Sequence, residues 1–224
     1  MSTKDIIQIE GGNFYQNQTR ILSAVNFQLD QGAFIYLIGK TGSGKSTFLK
    51  TLYAALPFTE GIGRVAGFDL KKINRNNVHL LRLSLGIIFQ DFNLLDDRTV
   101  FENLHFVLQS TGWKDKKKMQ LRIAEVLEDV GLSGMAGKMP NALSGGEKQR
   151  LVIARAIINS PQIILADEPT GNLDPETALE ILDLLIRLNS QKNSAVILAT
   201  HHLGLIDHFP NNIYECTNGL LVQR

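Results

Sequence analysis

Residues 34–47 read FIYLIGKTGSGKST, and this stretch decides how the rest of the chain is read. Phe34 to Ile38 is a run of apolar, β-branched and aromatic residues of strand length, whereas Phe48 to Leu56 has helix-compatible spacing. The order strand, glycine loop, helix is the context in which G-x-x-x-x-G-K-[ST] binds phosphate. Glycines let successive backbone N–H groups turn onto phosphate oxygens at a helix N-terminus. Gly39, Lys40, Thr41, Gly42, Ser43, Gly44, Lys45, Ser46 and Thr47 are therefore the candidate nucleotide-binding residues. Lys45 is placed to reach the β- and γ-phosphates and Ser46 to offer its hydroxyl to Mg²⁺.

The remaining chain is read around this loop. Ile6 to Ile9 and Val25 to Leu29 alternate in polarity, with Gly11, Gly12, Asn13 and Asn17 between them, which predicts antiparallel strands and puts Tyr15 in the intervening loop. As a loop aromatic, Tyr15 is either half-exposed without a partner or a platform for adenine. Gly61 to Gly67 predicts a turn and short strand, and Leu85 to Phe89 a buried strand. Gln90 then lies at a carboxyl strand end, where open α/β sheets bind ligands, or is merely solvated there.

From Phe92 to Gly137 the pattern is helical. Thr99 with Glu102 forms a capping box, and Leu121, Ala124, Leu127 and Val130 recur at helical spacing. Lys114, Lys116, Lys117 and Lys118 beside Trp113 read first as a solvated face, and second as a surface for anionic headgroups. In NALSGGEKQR (141–150), Ser144 and Glu147 make another capping box around Gly145 and Gly146; glycines in a first helical turn suggest close approach by an anion, or a plain cap. Ile163 to Ala166 is an apolar strand ending in Asp167 and Glu168, where one carboxylate can serve a metal and the next can face water. Asp174 and Pro175 predict the N-cap and first residue of a helix through Leu188. Ala195 to Ala199 predicts the last core strand, delivering Thr200, His201 and His202, and Asn218–Gly219 a type I′ hairpin.

Taken together, GKTGSGKST, Gln90, LSGGEKQR, IILADEPT, NLDP and ATH, in that order and over nearly the whole chain, resemble the nucleotide-binding subunit of an ABC ATPase. The resemblance implies an α/β fold: a P-loop NTPase (RecA-like) core with an antiparallel β-subdomain and an inserted α-helical subdomain. It divides a single domain, 1–224, into a core of 1–91 and 138–224 and an insertion of 92–137. It implies ATP and Mg²⁺ as cofactors, with Ser46, Gln90 and Asp167 around the metal. Glu168 resembles the general base, His201 the histidine at the γ-phosphate, Tyr15 the adenine platform and Asp174 the acid lying across a dimer interface. Lys45 joins Glu168 and His201 as catalytic, and Ser144, Gly145, Gly146 and Glu147 complete nucleotide binding from a second copy. His202 stands where relatives usually have Asp. A P-loop kinase is disfavoured because LSGGEKQR would have no role in one.

Within that class, QDFNLLDDRTVFENL (90–104) resembles the bacterial cell-division branch, with lipoprotein-releasing and macrolide-export ATPases as the alternative. The implied partners are a second copy, with two ATP at the interface, and an FtsX-like integral membrane protein. The implied location is the cytoplasmic face of the bacterial inner membrane, peripheral through that partner. Composition agrees: 224 residues suit one domain with an inserted subdomain, and the net charge of +1 gives no bulk field for nucleic acid, so none is expected as partner. The lone cysteine, Cys216, excludes an internal disulfide and fits a reducing compartment. No apolar run approaches the ~18 residues of a membrane span, so any spans would belong to another chain.

Overall fold

The computed structural model describes residues 5–224. In chain order its elements are β1 (Asp5–Gln16), β2 (Thr19–Asp30), β3 (Phe34–Ile38), α1 (Lys45–Leu52), β4 (Glu60–Val65), β5 (Phe68–Asp69), α2 (Val78–Leu83), β6 (Leu85–Ile88), α3 (Val100–Ser110), α4 (Lys116–Asp129), α5 (Gly145–Ile157), β7 (Ile163–Asp167), α6 (Pro175–Lys192), β8 (Ala195–Ala199), α7 (Leu203–His208), β9 (Asn212–Thr217) and β10 (Leu220–Gln223). Among the described residues, no helix is long and apolar enough to cross a membrane.

Two sheets organise the chain. One is antiparallel, in the order β2-β1-β4-β5; the other has the order β10-β9-β3-β8-β7-β6, parallel except for the β10 edge. The central strands β3 and β8 are buried at every position, as a parallel sheet covered on both faces requires, which is why their sequences read as unbroken apolar runs. Alternation divides β3, β7 and β8 between two cores: Phe34, Tyr36, Ile164, Val196 and Leu198 face the helical side, while Ile35, Leu37, Ile163, Leu165 and Ile197 face the antiparallel sheet and α1. The sheet therefore fixes the carboxyl ends of β3, β7 and β8 side by side.

The sequence expectation of a loop at residues 11–17 needs correction. The first strand continues to Gln16, and Tyr15 lies within it, opposite Arg20. Gly11 and Gly12 coincide with register shifts in the ladder, so they bend the strand and do not end it. The chain reverses only at Asn17–Gln18, both with positive φ (48° and 67°), in a two-residue hairpin turn.

The helical stretch also differs from the periodicity reading. Residues 92–99 form a loop; only then do α3, with its Thr99–Glu102 capping box, and α4 follow. On α4 the buried stripe is Met119, Ile123, Val126, Leu127 and Val130, whereas Ala124 is exposed and Leu121 is 72% exposed. Leu127 and Val130, read from the spacing, do lie in this stripe, whereas packing against α3 and α5 turns Met119, Ile123 and Val126 inward in place of Leu121 and Ala124. The buried residues of α3 and α4 join the same apolar cluster as Tyr36 and Ile164.

Asn103, on α3, is buried and belongs to no local sequence pattern. Its amide nitrogen donates to the carbonyls of Leu95, Arg98 and Thr99, and its oxygen accepts from the Leu95 N–H at 2.9 Å. It thus shapes the loop that follows Gln90. Asn103→Ala strands those groups, and the expected loss is about 2–3 kcal/mol in urea unfolding. An unchanged midpoint would show that the loop holds its form without the amide.

Candidate functional site

The phosphate loop runs from the end of β3 into α1. Gly39 and Gly44 have φ of 144° and 112°, and a Cβ at Gly39 would lie 2.5 Å from Ser43 Oγ and 2.6 Å from the Cys216 carbonyl oxygen. A Cβ at Gly44 would meet Ile21 at 2.8 Å. The loop is therefore pressed between β9 and the start of β2, and only glycine fits both positions. Helix α1 has no side-chain cap and no acidic residue in its first turn, so its leading N–H groups and dipole are unneutralised by the chain itself. Ser43 Oγ is buried with no hydrogen-bond partner in the protein. These features suit a bound phosphate.

Lys45 is only 6% exposed. Its Nζ donates to the Gly39 carbonyl at 2.8 Å and lies 3.4 Å from Glu168 Oε1. Glu168 Oε2 in turn lies 2.6 Å from His201 Nδ1, so one carboxylate bridges the lysine of the phosphate loop and the histidine beyond β8. His202 stacks obliquely on His201, with ring centroids 4.2 Å apart, and its backbone N–H donates to Thr200 Oγ1. Of the two histidines, His201 is the one that meets the carboxylate. The Glu168 backbone is left-handed, with φ 52°, a conformation costing about 1 kcal/mol or more in a non-glycine residue. Hydrogen bonds from its N–H to the Ala199 carbonyl and from the Gly171 N–H to its own carbonyl hold it there.

One residue earlier, Asp167 Oδ1 accepts from Ser46 Oγ at 3.1 Å. Burial holds the Asp167 carboxyl above the usual carboxylate range; the Ser46 hydrogen bond opposes this, and the neighbouring Glu168 charge adds to it. Among the described residues, no cluster of three His, Cys, Asp or Glu side chains could hold a metal. A cation at Ser46 and Asp167 would complete its shell with phosphate oxygens and water, which is the habit of Mg²⁺ and not of Zn²⁺. Gln90 lies two residues beyond β6, next to β7 in the sheet; its side chain is exposed, and its carbonyl accepts from Asn172 Nδ2 at 3.3 Å.

Tyr15 is one residue from Gln16, whose Oε1 accepts from Thr47 Oγ1, so the first strand touches the phosphate-loop helix. The Tyr15 hydroxyl donates to Glu60 at 2.8 Å. Lys40, Thr41 and Gly42 stand at the loop's outer turn, where a Cβ at Gly42 would meet open space.

The structure does not bring the remaining candidates to this cluster. Ser144 and Glu147 form a complete capping box on α5, the Ser144 N–H donating to Glu147 at 2.7 Å, and this holds the Glu147 carboxyl below its ordinary range. Among the described residues, no side-chain hydrogen bond or ion pair links residues 144–147 to the phosphate loop. Gly146 has a packing reason of its own: a Cβ there would lie 2.8 Å from the Thr177 methyl group. At Gly145 the nearest atom is Leu173 Cδ2 at 3.4 Å, so that face stays open. Asp174 caps α6 through the N–H and hydroxyl of Thr177, which lower its carboxyl pKa.

Two further residues act at the site through partners distant in sequence. Arg155, on α5, donates to the carbonyls of Phe92 and Asn93, tying the helix that starts at Ser144 to the loop after Gln90. Gln16 holds Thr47. Neither belongs to a local pattern, because their partners are far away in sequence.

Residues 22–171 match the family model described as ABC transporter. The chain is 42% identical over 209 residues to the cell division ATP-binding protein FtsE of Streptococcus pneumoniae, covering 93% of this chain and 90% of that protein. It is 45% identical over 210 residues to FtsE of Mycobacterium tuberculosis, with the same coverage. Among solved structures, it superposes with a TM-score of 0.84 on a dimeric ATP-binding cassette in a post-hydrolysis state bound to ADP and Pi, 30% identical and covering 97% of each chain.

Proposed function

Since the chain belongs to the ABC transporter family, as an ATP-binding subunit that hydrolyses ATP, we propose that it serves as the FtsE-type ATPase of a bacterial cell-division complex, docked on an FtsX-like integral membrane protein. The observation that carries this reading is the extent of the FtsE match, which spans nearly the whole of both chains. In this reading the protein sits at the cytoplasmic face of the inner membrane through its partner, and its cycle controls cell-wall hydrolysis. Residues 92–137 act as the helical subdomain inserted into a core of 1–91 and 138–224.

The chemistry is in-line attack of water on the γ-phosphate. Gly39 to Thr47 cradle the β- and γ-phosphates, and Lys45 turns from Glu168 and the Gly39 carbonyl towards them. Glu168 accepts the proton of the attacking water, and His201 holds the carboxylate and faces the γ-phosphate. Ser46, Asp167 and Gln90 would hold Mg²⁺, which would supply charge neutralisation at the phosphates. Tyr15 supports the adenine. Two copies enclose two ATP, each nucleotide lying between one phosphate loop and the Ser144–Glu147 helix start of the other copy, with Asp174 at the junction.

Native purification of the tagged chain from detergent-solubilised bacterial membranes tests the partner assignment. Recovery of an FtsX-like protein is expected. Recovery of a lipoprotein-releasing or export permease in its place would overturn the cell-division role while leaving the ATPase intact.

A further inference from the structure

Residues 114–118 hold four lysines and one aspartate, a local charge well above the whole chain's +1. All of these lysines are exposed, and no ion pair among the described residues involves Lys114, Lys116, Lys117 or Lys118. Three of them form the first turn of α4, where the helix dipole disfavours positive charge, and that turn contains no acidic residue. Asp115, at the N-cap, accepts from the N–H groups of Lys117 and Lys118 and offsets one of the four positive charges, which leaves the segment at a net +3. The segment thus sets a net surplus of three positive charges against its own helix start, which a merely solvated surface has no reason to do.

The second observation is Leu121. It is the most exposed large apolar side chain among the described residues, and it follows Lys117 and Lys118 by four and three positions, so all three share a helix face. The opposite face is fixed in the core by Met119, Ile123 and Val126. Just before the helix, Trp113 is anchored by its indole N–H to Asn159 at 3.2 Å, which holds the turn carrying Lys114 in place. The result is a rigid basic ridge with one apolar tooth.

We propose that this ridge, residues 113–121, docks directly on an anionic lipid bilayer. Lysines gain by approaching acidic headgroups, and an outward leucine gains by entering the headgroup–acyl boundary. A nucleic acid would use the lysines and leave Leu121 in water, so the apolar tooth selects the lipid. The contact is separate from docking on a membrane protein and needs no partner chain. With so few lysines it is weak and reversible, suited to orienting a subunit that another anchor retains.

The test is co-sedimentation of the purified full chain with vesicles of equimolar phosphatidylglycerol and phosphatidylcholine, and with vesicles of phosphatidylcholine alone. Binding to the anionic vesicles alone is expected, weakening as salt rises. Replacing Lys114, Lys117 and Lys118 together by Gln should lower partitioning about a hundredfold, at roughly fivefold per lysine. Leu121→Ser should weaken it by a smaller factor without changing the salt dependence. ATP turnover of both variants in solution should match the parent's, because none of these residues lies at the nucleotide site. Equal binding to both vesicle types, no binding by the parent, or unchanged binding by the triple variant would each overturn the proposal. So would tighter binding to short duplex DNA than to the anionic vesicles at the same salt, which would assign the ridge to nucleic acid.

Discussion

Glu168→Gln is expected to keep MgATP binding while reducing phosphate release by about 10²–10⁴-fold, the scale of a positioned general base. The amide is nearly isosteric with the carboxylate and can keep a hydrogen bond to His201, which now lies 2.6 Å from Glu168. It cannot accept the proton of the attacking water. Binding should be no weaker than the parent's, and the geometry gives its direction: Lys45 lies 3.4 Å from the Glu168 carboxylate, and neutralising that carboxylate frees the ammonium for phosphate. Lys45→Ala should do the reverse and weaken nucleotide binding itself, because a buried cation aimed into the phosphate loop is lost. Equilibrium nucleotide binding and single-turnover phosphate release separate the two effects. Near-normal release by the Gln variant would remove Glu168 from the role of base.

The second large effect concerns dimerisation. One chain holds two helix starts built with glycine, at Gly44 and at Gly145, and among the described residues no side-chain hydrogen bond or ion pair joins them. In the proposed two-fold pair, each start would meet the other copy's nucleotide. In the Glu168→Gln background, MgATP should drive sedimentation as a dimer, and exchange into ADP should return the monomer. Two substitutions at the second start should each leave a monomer with ATP bound. Ser144→Arg fills the approach but also removes a cap, at a cost of about 1 kcal/mol. Gly145→Asp avoids that ambiguity. It has room, with its nearest neighbour 3.4 Å away, and an acid in a first helical turn favours the helix, so folding stability should hold or rise. Its charge nevertheless repels phosphate. A stably folded Gly145→Asp protein that still dimerises with ATP would show that this helix start is a cap alone, and the two-copy site would be abandoned.

What was legible in the sequence was chemistry confined to a few neighbouring residues. The phosphate loop, the two capping boxes at Thr99 and Ser144, the Asp174 cap, the β3 and β8 runs and the Asn218–Gly219 turn all recur in the structure where the residues placed them. Each is set by backbone sterics, by a hydrogen bond spanning about one helical turn, or by the period of a strand, and those forces act within a short segment. The choice of face on α4 was not legible, because spacing fixes which residues align but not which side meets the core; contact with α3 and α5 put Met119 and Ile123 inside and left Leu121 out. Nor was the extension of the first strand through Tyr15, where pairing with Thr19–Asp30 overrode the glycines.

The sequence by itself therefore determined the parts of the site: a glycine loop, an acidic pair at a strand end, a histidine at another. Only the tertiary structure decided that Lys45, Glu168 and His201 form one linked array, since it depends on β3, β8 and β7 lying adjacent and parallel. Strand order comes from burying both faces of the sheet at once, a condition on the whole chain that no single segment encodes.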